Sequence, residues 1–202
     1  MVFLRLFVIF ITFSLISLIG ILCMYVDMKI FGLTYITEES VTEIMQELMV
    51  FIVCILYACS IKNTKEFLRI NILVFGFFTA ILIREFDFVF DKISHGSWVW
   101  AAVLASIMAI ALAFKEPKRL ARELDEYMQT KAFLLMLFGL CLVLVFGRVF
   151  GTGSFWAVIL PSSEISVVKN IVQEGIEFLG YTMCLISAIV FNTKNLNFKG
   201  KK

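Results

Sequence analysis

Apolar residues run along this chain in blocks separated by short polar connectors. Blocks of roughly 20 residues match a hydrocarbon core about 30 Å thick at about 1.5 Å per helical residue. They lack the two-residue alternation of membrane strands, so helices are expected. The pattern predicts six spans at about 2–25, 41–61, 67–90, 98–114, 132–151 and 168–190. The fold expected is all-α: one polytopic membrane domain, without internal repeats.

The connectors refine this picture. Val2–Tyr25, with Arg5 before most of it, exceeds a signal-peptide core and is expected to stay as a helix. Val26–Ser40 reads as a polar connector holding Asp27, Lys29, Glu38 and Glu39. Thr37 and Ser40 are its candidate caps for the second helix. Residues 115–131 break the apolar pattern. Pro117 opens that stretch, and Arg119/Glu123 and Arg122/Glu126 stand four apart, facing each other on a helix. Leu120, Leu124, Tyr127 and Met128 make an apolar stripe at helical period. The expectation is an amphipathic cytoplasmic connector lying on the membrane, its charges solvated.

Composition agrees with membrane residence. The chain is 61% hydrophobic, against about 45–50% in soluble domains. Its net charge of +2 carries no message, but the distribution does. Lys62, Lys65 and Arg69 mark one connector, Lys115, Lys118, Arg119, Arg122 and Lys131 another, and four lysines the tail. Six spans put all three on one side, which the excess of Lys and Arg makes cytoplasmic, with both termini. Trp98, Trp100 and Trp156 then fall at the far interface, where aromatic belts form. The setting expected is a bacterial inner membrane. Five cysteines without C-x-x-C spacing suggest neither a disulfide framework nor a zinc site. A lone His95 excludes a bis-histidine haem within one chain. Nothing points to nucleic acid.

The candidate chemistry lies in ionisable residues at the outer ends of four spans. Glu43 and Glu47 open the second; Arg84, Glu85, Asp87 and Asp91 end the third; Arg148 ends the fifth; Lys169, Glu174 and Glu177 open the sixth. The cytoplasmic halves of these helices read as almost purely apolar. Glu43/Glu47, Arg84/Asp87/Asp91 and Asn170/Glu174/Glu177/Tyr181 each fall on one helix face. Charges inside a membrane are expensive, so they are expected to point inward and pair. Seven acids face three cations there. Protonation or a bound cation is expected to balance them, with Mg²⁺, Ca²⁺ or Mn²⁺ suiting hard oxygen ligands. Glu174-x-x-Glu177 matches half of a di-iron helix pair, but the Glu-x-x-His partners are absent.

Three function classes remain. One is a membrane-embedded enzyme on an outer-leaflet lipid or lipid-linked substrate, with Arg84, Arg148 and Lys169 gripping a phosphate and Glu174 or Glu177 as general base. Asp87 and His95 are further candidate catalytic groups. Another is cation- or proton-linked transport, disfavoured by the lack of a polar path through the cytoplasmic half. The third is a non-catalytic assembly or sensor subunit whose charges tie helices together and meet a membrane-protein partner or a second copy.

Overall fold

The computed structural model describes residues 2–31, 40–92 and 94–198. Among these every regular element is helical. The order is α1 (Val2–Phe31), α2 (Val41–Asn63), α3 (Leu68–Glu85), α4 (Asp87–Asp91), α5 (Trp98–Ala113) and α6 (Pro117–Met128). There follow α7 (Lys131–Cys141), a π-helical turn (Leu142–Phe146), α8 (Gly147–Phe150), α9 (Gly153–Trp156) and α10 (Ser162–Phe198). Among the described residues four stretches are long and apolar enough to cross a membrane: Leu6–Ile30, Val41–Asn63, Lys131–Phe150 and Ser162–Thr193. The bent pair α5–α6 would make a fifth. The protein therefore has the helical, apolar build of a membrane protein, with four to five candidate spans.

Several boundaries differ from expectation. α1 continues through Asp27 and Lys29, which were read as connector. No Gly or Pro interrupts residues 21–31, so nothing local stops the helix there. The third apolar block is not one helix. It breaks at Phe86, with α3 ending at Glu85 and a five-residue α4 following. Arg84 therefore does not share an unbroken face with Asp87 and Asp91. α10 starts six residues earlier than expected and has 37 residues, about 55 Å of helix. Thr37, Glu38, Glu39 and the last three tail lysines lie outside the described residues.

The chain forms two compact units. Unit 1 comprises Met1–Gln46 and Gly139–Thr182. Its α1 and α10 meet where Gly20 lies under the Phe178 ring and Gly175 meets Met24. The Gly147-x-x-x-Gly151 pair brings α8 against α10. A methyl on Gly151 would stand 2.0 Å from Gln173 Oε1, and one on Gly147 2.9 Å from Glu177 Cγ. Small residues let membrane helices approach this closely. The π turn ends where the Gly147 N–H donates to the Leu142 carbonyl.

Unit 2 comprises Glu47–Phe138 and Met183–Lys202. α3 and α5 run antiparallel: Gly76 sits on Ala109, and Arg69 donates to the Leu112 carbonyl at 2.8 Å. A second cluster joins Tyr57, Phe67, Tyr127 and Phe191, the Tyr127 and Phe191 rings 4.8 Å apart. Ser187 donates to the Ala132 carbonyl at 2.6 Å, and Ser60 to Asn192.

Candidate functional site

The ten ionisable groups expected to form one layer divide between the units. Glu43, Arg148, Lys169, Glu174 and Glu177 belong to unit 1, with Asn170 and Tyr181. Glu47, Arg84, Glu85, Asp87 and Asp91 belong to unit 2, with His95.

In unit 1 the carboxylates are held by amides and backbone. Gln46, itself buried, donates to Glu174 Oε2 at 3.0 Å and to the Glu174 carbonyl at 3.2 Å. Gln173 donates to Glu177 Oε1 at 3.0 Å, and Glu177 is only 4% exposed. Glu174 is half-buried. The spacing of 173, 174 and 177 around one helix explains this: 173 and 177 share a face toward α8, while 174 turns toward Gln46. Tyr181 is buried one turn below Glu177, and Asn170 and Lys169 are half-buried one turn above. Arg148 is exposed. Beside this cluster runs an apolar groove of about 190 Å³ between α1 and α10, lined by Ile16, Gly20, Met24, Gly175, Phe178 and Thr182, among others.

Asp27, expected in a polar connector, is drawn into the fold. It is 1% exposed and accepts from the Val41 and Thr42 N–H groups at 2.7 and 2.9 Å, and from the Thr42 hydroxyl. Ser40 Oγ accepts from Glu43 N–H at 3.1 Å, as a capping hydroxyl should. The first turn of α2 is thus capped twice.

In unit 2, Arg84 pairs with its chain neighbour Glu85. Asp91 is exposed and closes the following loop, accepting from Gly96 N–H at 2.9 Å and meeting His95 Nδ1 at 2.8 Å. The Gly96 N–H, and then His95, hold its carboxyl below the usual range. His95 itself is open to solvent. Among the described residues no group of three His, Cys, Asp or Glu side chains could hold a metal ion.

The best-knit ionic network lies at the other end of unit 2. Glu123, expected to be solvated, is 3% exposed. It accepts from the Arg69 and Ile70 N–H groups at 2.7 and 3.2 Å, capping α3, and from Arg119 Nε at 2.7 Å. Arg69 and Arg119 both reach Glu116, and Arg119 also donates to the Lys65 carbonyl. The Arg69 hydrogen bond holds the Glu116 carboxyl below its ordinary range. Nearby helices carry buried Tyr57, Ser60, Asn71, Ser187 and Asn192, in stretches that read as almost purely apolar in the sequence. Both amide atoms of Asn71 are buried without a hydrogen-bond partner among the described residues.

No family model matches this chain, and no curated protein or solved structure matches it either.

Proposed function

We propose that this is a multi-pass inner-membrane protein that holds a lipid or lipid-linked molecule and acts on it in the outer half of its bundle. The α1–α10 groove carries this reading. It is apolar and sits on the same turns of α10 as Glu174 and Glu177. An acyl chain lying there would bring its polar head toward those carboxylates. Glu174, half-buried and oriented by Gln46, is the better general base of the two, because Glu177 is closed in by Gln173 and Gly147. Arg148 and Lys169 are the cations of the same unit for a phosphate. Arg84, Asp87, Asp91 and His95 belong to unit 2 and are given no step in this reading.

The test is a photoactivatable-acyl phospholipid in nanodiscs holding the full chain. Adducts should concentrate on residues 16–24 and 175–182, and Gly175→Leu, which fills the groove, should remove them. Adducts spread evenly over all lipid-facing helices would refute the reading.

Cation- or proton-linked transport is a second reading. Buried Tyr57, Asn71 and Asn192 favour it, since they place polar groups in the half expected to lack them. It predicts ion flux into liposomes that Glu174→Gln removes.

The proposal includes six spans with both termini cytoplasmic. α3 has only 18 residues and holds Arg69, Arg84 and Glu85. Its length is about 27 Å, and these charges lie at its two ends, which is where a span tolerates them.

A further inference from the structure

α6 has three faces, and each has a different neighbour. Leu120, Glu123 and Tyr127 stand i, i+3, i+7 and are buried against the rest of unit 2. Pro117, Ala121, Leu124 and Met128 stand i, i+4, i+7, i+11 and are exposed. Lys118, Arg122, Asp125 and Gln129 are exposed on a third face. The periodic stripe read from sequence therefore splits: Leu120 and Tyr127 go to the core, Leu124 and Met128 to the outside.

The exposed apolar row does not stand alone. It continues through Phe114 into the exposed apolar surface of α5, which includes Leu112, Ile110 and Ile107. α6 is bent by 100° from α5, so if α5 runs along the bilayer normal, α6 lies in its plane. The charges are also informative. The first turn of α6 has no acid, and Lys115, Lys118 and Arg122 crowd its amino-terminal half. Cations at that end oppose the helix dipole. Arg119 is offset by Glu116 and Glu123, while Lys115 and Lys118 take part in no ion pair among the described residues. Arg122 has only a 3.9 Å contact with exposed Glu126.

We infer that α6 is a fixed interfacial helix that seats one bilayer leaflet, with Pro117, Ala121, Leu124 and Met128 in the acyl boundary and Lys115, Lys118 and Arg122 on anionic phospholipid headgroups. Ordinary amphipathic helices bind and leave as units. This one is held to α3 through its buried face, where Glu123 accepts from the Arg69 and Ile70 N–H groups and from Arg119. It therefore reads the leaflet without leaving the protein.

The full-length protein in phosphatidylcholine nanodiscs, with or without phosphatidylglycerol, tests this. Spin labels at Leu124→Cys and Met128→Cys, in a background with the native cysteines changed to alanine, should collide with oxygen. Labels at Asp125→Cys and Gln129→Cys should collide with an aqueous nickel complex. Aqueous behaviour at all four overturns the seating. Should that background fail to fold, hydroxyl-radical oxidation of Met128 in the unmodified protein decides: protection supports the seating and ready oxidation overturns it. For the headgroups, mass spectrometry of the wild type should show phosphatidylglycerol retained over phosphatidylcholine. K115Q/K118Q/R122Q should lose that preference several-fold, and an unchanged preference overturns the headgroup assignment. Labelling of the α1–α10 groove does not enter either result.

Discussion

Glu123 shows what one side chain does when backbone donors face it. It satisfies two of the free N–H groups that open α3 and pairs with half-buried Arg119, its own carboxylate having almost no access to water. Glu123→Ala leaves the Arg69 and Ile70 N–H groups without their acceptor, at about 1–3 kcal/mol for each buried donor, and should lower unfolding free energy in mixed micelles by about 3 kcal/mol. Glu126→Ala, one exposed residue of a loose surface pair, should change it by less than about 0.5 kcal/mol. Asp27→Ala should cost about 1–2 kcal/mol, the usual loss for a helix cap. Glu116 adds a pH dependence. Its folded pKa is depressed by Arg69, so its stabilising effect is complete above the ordinary carboxylate range. That effect is lost as pH falls through the depressed value. The melting-temperature gap between wild type and Glu116→Gln should thus be present at neutral pH and close in acid.

At the scale of elements, the close seams make the sharpest forecast. A methyl on Gly76 would lie 2.0 Å from the Ala109 methyl carbon, with the backbone of α5 behind it. Gly76→Ala must push α3 from α5 and should cost about 1–3 kcal/mol as overpacking. Gly153→Ala meets nothing closer than 3.6 Å and should stay within about 0.5 kcal/mol in the same unfolding assay. Helix existence was legible in the sequence because apolar blocks and their lengths are local properties. The amphipathic α6 was legible too, from its period. Its facing was not, because Leu120 and Leu124 are equally apolar and only packing decides which one meets protein. The burial of Asp27, expected in a connector, and of Glu123, expected to be solvated, is hidden for a related reason. A carboxylate in a polar run looks solvated until distant backbone N–H groups, fourteen residues on for Asp27, are brought to it. At the candidate site, Glu174 and Glu177 stand out in the sequence by their position in an apolar helix. Their partners Gln46 and Gln173 are less legible, because an uncharged amide does not stand out in an apolar helix, although Gln173 stands four residues before Glu177 on the same face.

For the molecule as a whole, the remaining forecast concerns the side on which the basic connectors lie. Within unit 2, Arg69 touches the end of α5 and Glu116, and Arg119 reaches the Lys65 carbonyl. The two basic connectors, 62–69 and 115–131, therefore meet at one end of the α3–α5 hairpin. Ser60 with Asn192, and Tyr127 with Phe191, bring the carboxy-terminal part of α10 to the same end. A hairpin with both connectors at one end crosses the membrane twice or not at all. Lys and Arg in short loops hold such an end in the cytoplasm. The expected outcome follows for cysteines introduced one at a time into a variant lacking the native ones. Those at Lys62, Lys118 and Lys201 should resist a membrane-impermeant maleimide added to intact cells. One at His95, at the opposite end of the hairpin, should react. Labelling at Lys118 together with protection at His95 would reverse the orientation. Labelling at both Lys62 and His95 would remove α3 from the membrane and leave four or five spans.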